Sequence, residues 1–380
     1  MRRTCFFLLF LFLFLWLMPG VVLALPQIPP QNFVQVSSAI LFDLDNDAIL
    51  FEQNADEPIP PASLTKVLSM FLALDHVHSG QATFDAAVAV SASAASAGGS
   101  RMGLRKNETV PLRELLLGMA VSSGNDASVA VAEFVGGSSQ AFVNMMNVKA
   151  RKLGMRQSVF RNPHGLPAEG QYTTARDMLT LARAYLKAYP WALAFHNTRV
   201  LNHLGRVTWN KNPLLDQYPG ADGLKTGWIR ASGYNLIFTA RRGNRRLLAV
   251  ILGAPDARSR GNEACRLLDA GFKVCDEDAV SVSVALAQMP EAGYQIDLDK
   301  NAQDAWRRYP HAQRVKQGKG KAGRRVGADK KQKGKMAGKA KLRQKTRHSV
   351  QNSRQVKKPG KGRPQQKTRH SVQNSRRKTG

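Results

Sequence analysis

The sequence predicts an α/β fold in which a helical lobe interrupts a sheet. Three observations point there. Strand periodicity occurs near both ends of the stretch from Ala39 to Phe272, helical periodicity fills Val110 to Tyr189 between them, and turn residues punctuate the strands. "SAILFDLDNDAILFEQNAD" alternates apolar and polar residues around Asp45-Asn46-Asp47, the pattern of a β-hairpin. Ser63 to Ser79 reads as a helix, blocked upstream by Pro60-Pro61 and ended by Gly80. No charge falls between its Lys66 and Asp75, so that helix is expected to be buried almost all round. "PLRELLLGMAVSS", "DASVAVAEFVGG", "SQAFVNMMNVKARKLG" and "ARDMLTLARAYLKAYP" carry the helical lobe. Strand patterns return in "RVTWN", "YNLIFTARR" and "RRLLAVILGA", with Gly243-Asn244 turning between the last two, and a helix over Gly261–Phe272 closes the unit. A cleft between sheet and lobe is the natural place for a site.

Both ends of the chain differ from this body. Met1-Arg2-Arg3 precedes an apolar run, Cys5 to Met18, broken by Pro19-Gly20 and followed by the small or slim residues Val22-Leu23-Ala24. The run is shorter than the ~20 residues a spanning helix needs, so residues 1–24 read as a secretory signal cleaved near Ala24. The net charge of +29 is concentrated at the other end: 25 of the 56 basic residues and one of the 27 acidic ones lie in residues 311–380. That tail has no aromatic residue and too few aliphatic ones to bury a core, so disorder is expected. "QKTRHSVQNSR" occurs in it twice, at Gln344–Arg354 and Gln366–Arg376. The folded body is placed at residues 32–285, with a short connector over 286–310. Cys265 and Cys275 remain after signal removal. Ten residues of helix would hold them about 15 Å apart, too far for a disulfide, so two free and mostly buried thiols are expected. No Cys/His spacing suggests a metal, and no cofactor is implied.

Three short motifs occur in one order: Ser63-Leu64-Thr65-Lys66 at a helix start, Ser123-Gly124-Asn125 in a helix–helix turn, and Lys225-Thr226-Gly227 opening a strand. Singly each has an ordinary reading: Ser63 a helix cap, Lys66 a snorkelling lysine, residues 123–125 a turn, Lys225 a surface charge. The tail shows how easily the spacing arises, since Ser375 and Lys378 repeat it and Lys378-Thr379-Gly380 repeats the third motif. Only the first set lies in folded context. Serine needs an adjacent base to act as a nucleophile at neutral pH, and Lys66 stands one helical turn after Ser63 on the same face. A lysine serves as that base when burial and a nearby cation favour its neutral form; the uncharged helix supplies the first and Lys225 the second. The helix start offers backbone N–H groups to an oxyanion, and Gly227 would let a substrate backbone lie close to its strand.

This constellation resembles the serine penicillin-binding proteins, and most closely the low-molecular-mass D-alanyl-D-alanine carboxypeptidases of peptidase family S11. The resemblance covers roughly Ala39 to Phe272 and includes "NADEPIPPASLTKVLSMFLAL", "NPHGLPAEGQYTTARDM" and "GADGLKTGWIRASGYNLIFTA". It implies a β-lactamase/DD-peptidase-like fold, an antiparallel sheet flanked by helices. It implies that Ser63 attacks the penultimate D-alanine of peptidoglycan stem peptides, that Lys66 takes its proton, and that Ser123 and Lys225 relay a proton to the departing D-alanine. It also assigns Asn125 to the peptide amide, Thr226 and Arg260 to the terminal carboxylate, and the N–H groups of Ser63 and Trp228 to the oxyanion. Acylation by β-lactams follows from the same chemistry. Trp228 stands where the family often has histidine; His164 is read as ordering a loop.

After the body the sequence departs from the family, which often adds a β-rich domain and an amphipathic membrane helix. The basic tail takes their place, and an anionic membrane surface or envelope polymer is its expected partner. Export makes nucleic acid an unlikely physiological ligand. Other readings are a D,D-endopeptidase cutting crosslinks, a β-lactamase, for which no Glu-x-x-Leu-Asn occurs between Asn125 and Lys225, and a polyanion-binding envelope protein. The periplasm or cell envelope is the expected location.

Overall fold

A computed structural model describes residues 33–290 and 294–298. The expected signal segment 1–24 and tail 311–380 lie outside the described residues. In the described chain, β1 (Ser38–Asp43) and β2 (Ala48–Gln53) form the predicted hairpin. The Asp43 carboxylate closes its turn by accepting from the N–H of Asp45 at 2.9 Å and of Asn46 at 3.1 Å. A single 3-10 turn, Ala62–Leu64, leads into α1 (Thr65–His78), so the helix begins two residues after Ser63 rather than at it. Residues 65–74 of α1 are all buried, as its charge-free sequence requires.

The lobe continues through β3 (Ala87–Ala89), α2 (Ala92–Ser96), β4 (Thr109–Pro111) and α3 (Leu112–Leu117), with β3 and β4 paired as a short ribbon. A π-type turn over Gly118–Ser122 then leads to α4 (Asn125–Gly136), α5 (Ser139–Leu153) and α6 (Ala175–Ala188). After α7 (Leu193–Asn197), a hairpin absent from the sequence reading appears, β5 (Val200–His203) with β6 (Arg206–Trp209), of which only the second strand was expected. The described chain continues with β7 (Ala221–Ile229), β8 (Gly233–Arg242), β9 (Arg245–Ala254), α8 (Ala257–Cys275) and α9 (Val282–Gln288). Asp256 starts α8 by accepting from the N–H of Arg258 and Ser259, both at 2.8 Å, which sets its first turn upstream of the expected Gly261.

The main sheet has five strands in the order β2-β1-β9-β8-β7, every neighbouring pair antiparallel. It is buried on both faces. Ile40, Phe42, Leu248 and Val250 face the helical lobe, while Leu41, Leu247, Ala249 and Ile251 face α8 and α9. This explains why β9 reads as a continuous apolar run rather than an alternating one: both sides of the pleat meet a helix layer. Each large side chain so buried contributes about 1.5–3 kcal/mol. Residues expected to be a mere connector add to this layer, since Ile296 is buried against Gly261 and Leu214, and Gln217 and Asp297 exchange hydrogen bonds. Cys265 and Cys275 both lie on α8 as free thiols, the first buried and the second half-buried. Among the described residues, no helix is long and apolar enough to cross a membrane.

Candidate active site

The turn that carries Ser63 is held from two sides. Ala62 takes φ 49°, a left-handed conformation that costs an L residue roughly 1–2 kcal/mol. Packing keeps it there. A Cβ placed on Gly165 would fall 1.7 Å from the Ala62 carbonyl oxygen, and one on Gly227 would fall 3.1 Å from both the Ser63 nitrogen and the Ala62 Cβ. Gly165 itself has φ 86°, open to glycine. The role expected for Gly227 therefore changes: the face freed by its missing side chain is occupied by the Ser63 turn and not left for a substrate backbone.

Ser63 caps no helix; the turn and α1 begin without a side-chain cap, and Thr65 instead bonds the Ala62 carbonyl at 2.8 Å. The Ser63 hydroxyl faces Lys66. This lysine is fully buried, and its Nζ lies 2.9 Å from Ser63 Oγ, 2.7 Å from Asn125 Oδ1 and 2.8 Å from the His164 carbonyl oxygen. Three acceptors satisfy an ammonium completely. A neutral amine has two N–H groups and one lone pair, so it can keep Asn125 and His164 as acceptors and turn the lone pair to the Ser63 hydroxyl. Burial pushes the Lys66 pKa well below the usual lysine value, the Lys225 charge adds to this, and Asp126 opposes it.

Each partner is itself anchored. The loop before α6 delivers the His164 carbonyl: Asn162 accepts from the Gly165 N–H at 2.6 Å, the His164 ring accepts from the Leu166 N–H at 3.2 Å, and the Pro163 carbonyl accepts from Ser69 at 2.7 Å. Burial, then the Lys66 charge, lowers the His164 pKa to about 4, so its ring stays neutral, in keeping with a part in ordering the loop. Ser123 is left-handed at φ 56°, and Asn125 opens α4 directly after it. The Asn125 side-chain amide donates to the Gly98 carbonyl at 2.6 Å, which fixes its oxygen toward Lys66.

Sequence reasoning missed Asp126. Its buried carboxylate accepts from the N–H groups of Met102 at 3.0 Å, Gly103 at 2.8 Å and Leu104 at 3.1 Å, holding the loop that rims the cavity. Its position next to the Ser-Gly-Asn motif was the available signal.

The third motif lies within β7 rather than at its start. The strand begins at Ala221, where Gly220 and Gly223 disguise it in the sequence. Lys225 is buried and donates to the Thr226 carbonyl at 2.9 Å; burial, with Arg260 and Lys211 adding, pushes its pKa down to about 7. Arg260, on α8, is 5 % exposed, lies 5.9 Å from the Tyr234 ring, and its Nε has no hydrogen-bond partner among the described residues. Burial lowers its pKa to about 10 against the opposing pull of Tyr234 and Asp256, so it keeps its charge at neutral pH. Trp228 is 56 % exposed and tilts against Tyr234 at 5.8 Å between ring centroids.

These pieces surround one cavity of about 770 Å³. Ser63, Ser123, Thr226, Gly227, Trp228 and Arg260 line it, while Lys66, Asn125 and Lys225 are buried. All nine residues singled out in the sequence thus converge, with the Ser63–Lys66 pair on one side and the buried Arg260, whose Nε lacks a partner among the described residues, on the other.

Comparison with known proteins identifies the family. Residues 26–256 match the peptidase S11 family, D-alanyl-D-alanine carboxypeptidase. The chain is 38 % identical over 243 residues to the D-alanyl-D-alanine carboxypeptidase DacF of Bacillus subtilis, covering 63 % of this chain and 62 % of that one. It is 36 % identical over 267 residues to DacC of Escherichia coli, covering 68 % and 67 % respectively. The match thus spans about two thirds of these relatives. Among solved structures, penicillin binding protein 6B of Escherichia coli aligns with a TM-score of 0.61 at 36 % identity, over 64 % of this chain and 80 % of that one. Penicillin-Binding Protein D2 of Listeria monocytogenes, in its ampicillin-bound form, aligns with a TM-score of 0.59 at 29 % identity, over 64 % and 100 %. With the family matched across the sheet, the lobe and all three motifs, the chain belongs to the peptidase S11 family of D-alanyl-D-alanine carboxypeptidases.

Proposed function

We propose that this protein is an exported serine D,D-carboxypeptidase that removes the terminal D-alanine from peptidoglycan stem peptides through an acyl-enzyme on Ser63. The observation that carries the reading is the buried Lys66, whose Nζ stands 2.9 Å from the Ser63 hydroxyl. Burial favours the neutral amine, which takes the serine proton as Oγ attacks the carbonyl of the penultimate residue. The N–H groups of Ser63 and Trp228 receive the oxyanion, a role supported by the close packing of β7 against the Ser63 turn. Thr226 and Arg260 take the terminal carboxylate, and the orphaned Nε of Arg260 supports an anion there. Asn125 orients the peptide, Ser123 and Lys225 return a proton to the leaving amine, and water then releases the shortened peptide.

Intact mass after mixing with penicillin, followed by peptide mapping, tests this. A long-lived adduct on Ser63, absent in Ser63→Ala, is expected; the Listeria relative solved with ampicillin supports that outcome. An unmodified chain with penicillin untouched removes the nucleophile from the reading, and consumption of penicillin without an adduct turns it to a β-lactamase. The basic tail, by its charge, tethers the enzyme to an anionic envelope surface. A chain ending at Tyr309 should no longer partition with anionic membranes; unchanged partitioning refutes the tether.

A further inference from the structure

Among the described residues, the catalytic cavity is lined by four cationic side chains, Arg101, Arg206, Lys211 and Arg260, and by no aspartate or glutamate. Arg101 is partnered, its Nε 3.8 Å from the buried Asp126 carboxylate and its guanidinium bonded to the Ala95 carbonyl. Arg260 is committed to the terminal carboxylate under the reading above. A single carboxylate leaves the remaining positive charge of the cleft uncompensated.

Arg206 is the best-prepared of these cations. It opens β6, immediately after the tight turn of Leu204 and Gly205, whose φ values are 47° and 80°. Its side chain lies across Gly103, where a Cβ would come within 2.8 Å of its Cδ and 3.0 Å of its Nη1. Gly103 has φ 109°, and its N–H is bound by Asp126, the neighbour of Asn125. The surface under Arg206 is therefore fixed to the catalytic frame. The hairpin is fixed as well. His203, which pairs across it with Arg206, is buried with Nδ1 2.7 Å from Glu114 and Nε2 3.0 Å from Glu108. Among the described residues no carboxylate stands within ion-pair distance of Arg206 itself. Nearby acids are thus spent on holding the hairpin and the loop, and the guanidinium is left facing the cavity.

We propose that Arg206 is a specificity residue that binds a second carboxylate of the substrate, on a residue other than the terminal D-alanine, so that the enzyme selects stem peptides whose non-terminal carboxylates are free over those in which they are amidated. A guanidinium presents paired N–H donors that match a carboxylate and lose their partner when the group becomes an amide. The inference rests on the carboxypeptidase reading.

The test uses the full chain and peptides ending in D-Ala-D-Ala. One pair carries a free or an amidated carboxylate on the residue before the dipeptide. A second pair carries it one residue further from the dipeptide. Released amino acid is measured at low and high salt. The expected result is a kcat/KM about ten-fold higher for the acid than for the amide, carried by KM and reduced by salt. The ratio should fall toward one in Arg206→Gln and recover in part in Arg206→Lys. Whichever pair shows the Arg206-dependent preference tells how far from the scissile bond the carboxylate lies. Formation of the penicillin adduct on Ser63 in the same preparations reports an assembled site. An adduct with no preference in either pair, or a preference that survives in Arg206→Gln, overturns the proposal and leaves the carboxypeptidase standing. Absence of both adduct and hydrolysis overturns the two together.

Discussion

Replacing Lys225 by methionine should change how stability depends on pH, by an amount the burial of this lysine sets. Its ordinary pKa is 10.5, and burial, with the Arg260 and Lys211 charges, brings it to about 7 in the folded chain. Between those values the unfolded chain holds a proton that the folded chain has released. Folding stability therefore rises with pH through this window, at about 1.4 kcal/mol per pH unit from this one group. Over the whole window the gain is at most about 5 kcal/mol, the cost of charging a lysine that has no carboxylate beside it. In Lys225→Met the gain is absent. Denaturant unfolding of both proteins from pH 6 to 10 follows it, because titrating groups not coupled to Lys225 cancel in the difference; the change at Lys66 is read separately from acylation. The wild-type curve should climb relative to the variant above pH 7 and run parallel to it below. A second consequence links stability to chemistry. Lys225 helps depress the Lys66 pKa, so penicillin acylation in the variant, though slow, should rise to its plateau at higher pH than in the wild type. Parallel stability curves throughout would falsify the assignment of a depressed pKa to Lys225, which would then stay charged across this range.

Lys66→Arg keeps hydrogen-bond donors at the site but stays charged and cannot take up the serine proton, so acylation of Ser63 by penicillin should fall by about 10³-fold at every pH; a variant within ten-fold of wild type would mean that another group is the base. Gly227→Ala puts a methyl group 3.1 Å from the Ser63 nitrogen, against backbone that has little room to move. Acylation should drop by about 10²-fold with a melting point lowered by only a few degrees, and normal acylation would show that β7 and the Ser63 turn can separate without cost.

Much of this was legible in the sequence because the signals are local. The hairpin around Asp45-Asn46-Asp47, the uncharged α1 and the two-sided apolar run of β9 follow from periodicity over a few residues. The pairing of Ser63 with Lys66 follows from helical spacing. What could not be read depends on contacts between distant segments. Nothing near Ala62 announces a left-handed residue; it is kept so by Gly165 and Gly227, far along the chain. The third acceptor of Lys66 is a backbone carbonyl, which leaves no trace in residue identity. β5 escaped detection because its stability comes from the His203 contacts to Glu108 and Glu114 and not from an alternating pattern. Asp126 looked like an ordinary acidic residue in the first turn of a helix, yet its carboxylate points away to hold three N–H groups of another loop.

The strand order has a consequence for how the protein comes to be folded. β1 sits between β2 and β9, and Asp43 meets Arg245 across 202 residues of chain. The first hairpin to be synthesised therefore waits for almost the last strand before its inner edge is paired, and the lobe that holds Lys66 packs on a sheet that does not yet exist. Closing such a loop is entropically expensive and slow, and it leaves apolar edges open meanwhile. Assembly should be all-or-none from β1 to β9, with no stable fragment ending before Ala254. Ser63 would then be set against Lys66 in a complete frame only once β9 has joined the sheet.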